Sequence, residues 1–578
     1  MKSINIVAGS IFYLLIISFS TGYIYSQNVG TSARIEINKI SLPFNNKGEL
    51  ADVTPPDTGY TNGYFEGHEF LFSGGFFMSG YTNNSLWANG VQGVALLKDY
   101  QPGTVGMEPN DPDASIYRVG TPDPPFGQSW QDWSDAVDLG ADYYDGDGNG
   151  IYDPVDLNNN GMWDPSEDKP GIIGDESFWC VYNDGVPPIE RIWGSEPQGI
   201  EIRQTIFGFT STDILDSVVF VRYRIKNTGL LTDTIKDVYF CHYADPDIGE
   251  VIGYEYNYVG CDTIRNAIYT YLKEPSPPDW GNNPPCFLTD LLTGPLSYIP
   301  GVSFEDLNSN GIYDEGIDIP FDTAYSFRGP LGVPVYPGAL NLNMSSAIYG
   351  IHGDPVTLEP GNIFEARNNL LGKTIAGDIV DPCSWPYAGV FGGVPCDEID
   401  PYFWSSGDPV SNTGWISILH ADVRDIQSTG PFKLVKNKEI EILFAFIIGR
   451  GDSALGSVTV TKNISDEIQS FYENNFGYPY VLAVKDNNIN KIDFALNQNY
   501  PNPFNPATTI KYSIPKTGLV KLAVYDILGK EIKVLINEEQ SAGAHEVSFD
   551  AGKLSSGIYF YRIQNGNYFA VKKMMLLK

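Results

Sequence analysis

Ile200-Glu-Ile-Arg-Gln-Thr-Ile-Phe207, Asp216-Ser-Val-Val-Phe-Val-Arg-Tyr-Arg-Ile-Lys226 and Thr234-Ile-Lys-Asp-Val-Tyr-Phe240 decide the fold class of this chain. Each run is rich in β-branched and aromatic residues and largely alternates them with polar ones, the period of a strand. Asn227-Thr-Gly229 ends the second run with turn-forming residues. Successive strands joined by turns predict an antiparallel β-sandwich. Residues 436–448 offer one more strand, with a buried stretch at 442–448. Upstream, residues 27–141 are rich in Gly, Tyr, Phe and Asn, and Glu69-Phe-Leu-Phe72 and Val91-Gln-Gly-Val-Ala-Leu-Leu97 fit short strands. Val460, Ile464, Ile468 and Phe471 recur at helical spacing and predict one short helix near 458–474. The expectation is an all-β chain of several antiparallel sandwiches.

Composition narrows the partners. The chain has 36 Lys+Arg against 71 Asp+Glu, a net charge of −35. Residues 494–578 hold 10 basic and 6 acidic side chains, net +4, which leaves −39 on the rest. So acidic a body repels nucleic acid and anionic lipid, and it suits divalent cations. Hydrophobic content of 42% is enough for folded cores. Met1-Lys2 and the apolar run 4–19 read as a signal peptide, residues 1–26, with cleavage after Gly22 or Ser26. No later run is long enough to predict a transmembrane segment in the mature chain. Six cysteines allow 15 pairings. Cys383–Cys396, closing a short loop, is preferred, and Cys261–Cys286 comes second.

The last 85 residues carry their own pattern. Thr508-Thr-Ile-Lys-Tyr-Ser-Ile514, Val520-Lys-Leu-Ala-Val-Tyr525, Glu531-Ile-Lys-Val-Leu-Ile536, Gly557-Ile-Tyr-Phe-Tyr-Arg-Ile563 and Tyr568-Phe-Ala-Val571 read as strands of a small sandwich. A turn is expected at Asp526-Ile-Leu-Gly529, and a two-residue hairpin at Asn565-Gly566. Four motifs stand out: Pro501-Asn502-Pro503-Phe504, Tyr525-Asp526 with Gly529, Gly557 and Tyr559 with Arg562, and Lys572-Lys573. On these residues the tail, 494–578, resembles the type A C-terminal sorting domain of the type IX secretion system. The resemblance implies recognition by that outer-membrane machinery and an extracellular or cell-surface destination. It further implies cleavage of the tail, with attachment to surface lipopolysaccharide or release.

The clearest chemistry lies at 145–168. Asp145, Asp147, Asn149, Asp153 and Asp156 stand at positions one, three, five, nine and twelve of a loop, with Gly150 at six. Asp156, Asn158, Asn160, Asp164 and Glu167 repeat the spacing around Gly161. Oxygen donors at alternate positions can wrap a Ca²⁺ ion, and the glycine permits the sharp turn. Sharing Asp156 between consecutive loops resembles thrombospondin type 3 and dockerin calcium repeats. A third copy holds Asp306, Asn308, Asn310 and Asp314 but has Ile317 at position twelve, so Asp318 or Glu315 must close it. The same residues also suit metal-free Asx-turns.

Catalytic motifs are poor. His68-Glu69 lacks the second histidine of a zinc-protease helix, and Gly372-Lys373-Thr374 lacks the first glycine of a phosphate loop. Cys241-His242 near Asp245 and Asp247, His352 near Asp354, and His420 near Asp422 are weak nucleophile or metal candidates. Trp130 and Trp133 could stack on sugars or pack beside the acidic loops. Arg450-Gly-Asp-Ser453 reads as a turn more readily than as an adhesion tetrapeptide. The regions expected are 1–26, 27–198 with the first two calcium loops, 199–484 with the third inserted, a linker at 485–493 and the tail at 494–578. The functional expectation is an exported calcium-binding protein with a structural, adhesive or ligand-binding role. Its rival is an extracellular hydrolase on the same sorting domain. Catalysis stays open, with the non-enzymatic reading preferred.

Overall fold

The first two of the three runs pair with each other and the third leaves them. Ile200–Gly208 lies antiparallel to Val218–Asn227, with Ile202 opposite Ile225 and Ile206 opposite Val221. The chain then crosses over, and Thr234–Pro246 runs between His68–Thr82 and Val423–Val435 in a second sheet. The computed structural model describes residues 28–54, 59–91, 98–249, 257–276, 279–478, 495–514, 518–526, 530–540, 543–565 and 568–577. The signal segment, the linker, Gly529, Gly566 and most of the run 91–97 lie outside them.

The first sheet orders Asn28–Gly30, Ile116–Gly120, Glu176–Asn183, Ile200–Gly208, Val218–Asn227, Glu439–Gly449, Cys286–Thr293, Ala267–Tyr271 and Tyr258–Asp262. The second orders Ser32–Ile35, Ile40–Asn45, Leu50–Ala51, His68–Thr82, Thr234–Pro246, Val423–Val435 and Met344–Ile351, with Gly63–Phe65 and Ser85–Val91 attached. Neighbouring strands in both sheets are antiparallel, so the all-β class holds. Strands from both sides of residue 199 share each sheet.

Strand alternation explains why both faces of the first sheet are apolar. Val219, Val221 and Tyr223 face the second sheet, where Phe76 stacks on Phe240 at 5.3 Å and Tyr223 meets Phe240 at 5.3 Å. Val218 and Phe220 face away, packing with Leu443, Ala445 and Ile447 under Val458, Ile468 and Tyr472 of the helix Ala454–Glu473. A strand buried on both faces reads as a continuous apolar run, as at 442–448.

Three α-helices are present among the described residues where one was expected. Ala454–Glu473 begins earlier than predicted because the Ser453 side chain caps the Gly456 amide at 3.1 Å. Its buried stripe is Ser457, Val458, Thr461, Ser465, Ile468 and Tyr472, whereas Val460, Ile464 and Phe471 are half-buried. Small hydroxyl residues lie against the sheet because they bond to it: Ser457 to the Pro284 carbonyl at 2.6 Å and Thr461 to that of Cys286 at 3.2 Å. Gln128–Asp138 and Ile363–Leu370 are the other two helices.

The tail forms the expected sandwich. Ala495–Leu496, Ala507–Ile514 and Gly543–Asp550 make one sheet; Glu531–Gln540, Gly518–Tyr525, Gly557–Asn565 and Tyr568–Leu576 make the other. Ile510, Tyr512, Val520, Leu522, Val524, Tyr561 and Ile563 fill its core. Asn565 pairs with Tyr568, and Gly566 of the expected hairpin turn lies outside the described residues.

Cys383 and Cys396 form the preferred disulfide. The second pairing fails. Cys261 and Cys286 are free and buried, Cys261 between the sheets and Cys286 under the helix Ala454–Glu473, on opposite faces of the first sheet.

Candidate functional site

The three acidic loops share one hydrogen-bond plan. The opening aspartates Asp145, Asp156 and Asp306 each accept the amide four residues on, at 3.1, 3.1 and 3.2 Å. They also accept the amide of the position-six glycine, at 3.0, 2.7 and 2.7 Å. Gly150, Gly161 and Gly311 all have φ between 73° and 78°, the left-handed region that favours glycine.

The closing carboxylates correct the sequence reading. Asp168 accepts Gly146 N–H at 2.8 Å and Asp153 N–H at 3.0 Å. Glu167 accepts the corresponding amides of the second loop, Leu157 at 2.8 Å and Asp164 at 2.8 Å. Asp318 accepts those of the third, Leu307 at 3.0 Å and Asp314 at 2.7 Å. All three closing side chains are buried. Asp156, expected both to close the first loop and to open the second, accepts amides of the second, and Asp168, which the twelve-residue spacing does not include, accepts those of the first. The second loop is thus nested inside the first. In the third loop Asp318 fills the role rather than Glu315.

The loops differ in charge. Loop one gathers Asp145, Asp147 and Asp168, whose carboxylate oxygens lie within 4.8 Å of one another. Desolvation first, and then the nearby charges of Asp168 and Asp147, push Asp153 above the ordinary carboxylate value. In loop two, the amides of Asn158 and Asn160 donate to Asp164 Oδ2 at 2.6 and 2.9 Å. In loop three, Asn308 and Asn310 donate to Asp314 Oδ2, both at 2.7 Å, and hold that carboxyl below its usual value.

An aromatic residue at position eight ties each loop down. The Tyr152 hydroxyl donates to the Trp130 carbonyl at 2.9 Å, the Trp163 indole to the Glu167 carbonyl at 2.8 Å, and the Tyr313 ring stacks on Tyr298 at 5.6 Å. Trp133 is buried with its indole on the Asp142 carbonyl at 2.9 Å, so it packs the helix under loop one.

The catalytic candidates scatter. His242 is buried against Phe444 and Phe446, and burial pushes its imidazole down to about 3. Burial raises the Cys241 thiol well above its ordinary value. Asp245 pairs with Arg424 at 3.0 Å. His352 and His420 are exposed, and the His68 ring sits 4.7 Å from that of Trp280. Gly372 follows the helix Ile363–Leu370 instead of preceding one, the reverse of a phosphate loop. Arg450 is bound to the Trp280 and Asn283 carbonyls, and Ser453 caps a helix. Among the described residues, Asp145, Asp147 and Asp168 are the one cluster of three metal-capable side chains.

In the tail, the motif residues are placed by the sandwich. Phe504 is buried, donates its amide to the Met575 carbonyl at 2.9 Å and accepts Leu577 N–H at 3.1 Å, while Asn502 accepts Met575 N–H at 2.7 Å. The Pro501 carbonyl accepts the Thr508 hydroxyl at 2.8 Å, and Pro503 is half-buried between them. Arg562 lies 4.7 Å from the Tyr525 ring centre, Asp526 caps the Lys530 amide at 2.9 Å, and Gly557 pairs with Leu576. The Tyr559 hydroxyl reaches the Ser555 carbonyl at 3.0 Å. Lys572 pairs with Asp322 of the body at 2.9 Å, and the Lys573 carbonyl accepts from Gln498 at 2.7 Å. Residues 498–577 match the family model described as a secretion system C-terminal sorting domain. The tail is a type IX sorting domain. The sorting domain directs the chain through the type IX machinery to the cell surface or extracellular space. No helix among the described residues is long and apolar enough to cross a membrane. No curated protein matches the chain. A solved polysaccharide lyase is 7% identical over 65% of this chain, with a TM-score of 0.19; the match spans 34% of that structure, and so remote a likeness carries no argument.

Proposed function

We propose that the exported body is a calcium-stabilised protein with a structural, adhesive or ligand-binding role at the cell surface. The observation that carries this reading is the convergence of Asp145, Asp147 and Asp168 within 4.8 Å. Calcium takes oxygen ligands at about 2.3–2.6 Å, so ligands on opposite sides of one ion stand up to about 5 Å apart. The donor set is all oxygen, which suits a hard cation. Asp145, Asp147, Asn149, Asp153 and Asp168 would hold the first ion; Asp156, Asn158, Asn160, Asp164 and Glu167 a second; and Asp306, Asn308, Asn310, Asp314 and Asp318 a third. The ions would offset the body's negative charge and set loops too polar to pack alone. His242 is buried against Phe444 and Phe446 while His352 and His420 are exposed, which favours this reading over a hydrolase built on these histidines. Attachment to lipopolysaccharide after loss of the sorting domain is the proposed means of retention. Thermal unfolding tests calcium dependence: millimolar calcium should raise the Tm above that in chelator, and identical Tm values refute it. At one hundred times the Kd, each ion adds about 2.7 kcal/mol.

A further inference from the structure

A groove of about 790 Å³ opens between the His68–Thr82/Ser85–Val91 hairpin, the strand Thr234–Pro246 and the helix Ile363–Leu370. None of its lining residues belongs to the acidic loops, so the inference stands apart from the calcium reading. The floor is built around Arg367, which is 7% exposed. Its guanidinium donates to the carbonyls of Asp237 at 2.8 Å and Ser79 at 3.2 Å, and to the Asp237 carboxylate at 2.6 Å. It lies 4.6 Å from the Tyr239 ring centre and 5.6 Å from that of Tyr81.

Asp237 sits at an irregularity in its strand with φ 53°, a conformation unusual for a non-glycine residue. Such an outlier persists only where its surroundings hold it, and bulges of this kind re-aim side chains beside binding sites. The Asp237 side chain remains 46% exposed, so it can still accept hydrogen bonds from a ligand. Phe364, on the first turn of the helix, lines the same groove and is 65% exposed. Asn368 adds an amide one turn further along.

We propose that this groove binds a neutral oligosaccharide. Arg367 and Asp237 cancel each other's charge, so the floor offers nothing to select an ionic ligand. Rings at Tyr81, Tyr239 and Phe364 line the groove together with the Asp237 carboxylate and the Asn368 amide. A sugar presents both complements at once: an apolar C–H face for a ring and a rim of hydroxyls for the polar groups. A flat aromatic anchor gives such contact at low conformational cost.

Calorimetry on the purified full chain tests this, with cellohexaose, laminarihexaose, mannohexaose and xylohexaose as probes. At least one should bind, Phe364→Ala should weaken it about ten-fold, the loss of one ring contact, and Ser85→Trp should abolish it by filling the groove. Both positions are exposed, so an unchanged Tm in each variant certifies the fold. Absence of binding by all four probes at millimolar concentration overturns the proposal, as does equal binding by parent and variants. Capture of displayed heptapeptides instead, lost in Phe364→Ala, also overturns it by assigning the groove to peptide.

Discussion

Asp168 Oδ1 accepts the Gly146 amide at 2.8 Å across 22 residues of sequence, with the whole second acidic loop enclosed between them. This nesting separates two ways of building adjacent cation sites. In a chain of loops sharing Asp156, one carboxylate would serve both ions. In the nested arrangement each loop has its own closing carboxylate, and the sites can be removed singly.

Asp156→Asn should therefore remove one calcium from the titrated stoichiometry and leave loop one intact, while Asp168→Asn should remove loop one alone. Isothermal titration with site counting checks this. Loss of two sites on Asp156→Asn would restore the shared-carboxylate arrangement.

Loop one should also bind calcium more tightly than the other two. It has four carboxylates, Asp145, Asp147, Asp153 and Asp168, against three in loop two and three in loop three. Affinity rises with ligand charge. In a chelator competition, Asp147→Asn should weaken the tightest class of site by about ten-fold and leave the weaker class unchanged.

Asp290 is fully buried under the helix Ala454–Glu473, held by the Ser465 hydroxyl at 2.6 Å and the Gln469 amide at 2.7 Å. Burial raises its carboxyl to about 7. The folded state therefore binds this proton more tightly than the unfolded chain does. Its stabilising contribution is complete below about pH 4, is lost as the pH rises to about 7 and is absent above. Asp290→Asn removes the titration: its Oδ1 can still accept from the Gln469 amide, and its Nδ2 donates to the Ser465 hydroxyl oxygen instead of accepting from it. The variant's Tm should gain roughly 2–4 °C over the parent between pH 5 and pH 8, and parallel Tm–pH curves would contradict the assignment.

Cys180, Cys241, Cys261 and Cys286 are buried thiols. A thiol reagent should find none of them in the native protein and all four after unfolding without reductant. Two titratable thiols in the unfolded chain would mean a second disulfide.

Deleting Pro501 to Lys578 removes the opening segment that pairs with the last strand and nearly the whole of the sorting domain's core. Fractionation should then find the protein in the periplasm rather than outside the cell. Undiminished appearance in the medium would refute the sorting role.

The strands were legible because alternation survives burial on one face, as in Ile510-Lys-Tyr512 of the tail. The crossover of Thr234–Pro246 was not, since nothing local to residues 228–233 distinguishes a hairpin from a change of sheet. The helix Ile363–Leu370 carried a signal that went unread: the Asn362 side chain caps Phe364 and Glu365, and Glu365 reaches back to the Gly361 amide. The helix Gln128–Asp138 was hidden by polar composition, with Trp133 and Ala136 as its buried contacts. The acidic loops were found by spacing, but Asp168 was missed because a twelve-residue rule assumes closure within the loop. A second Asp-x-Asn-x-Asn-Gly run lying inside the first was the available clue.

Glu439–Gly449, among the last strands of the body to be synthesised, lies in the middle of the first sheet, between Val218–Asn227 and Cys286–Thr293. A fragment ending before residue 439 would expose two naked strand edges at its centre and invite aggregation. The nascent polypeptide cannot settle domain by domain from its amino end. The first sheet closes at its centre only once residues 439–449 have emerged.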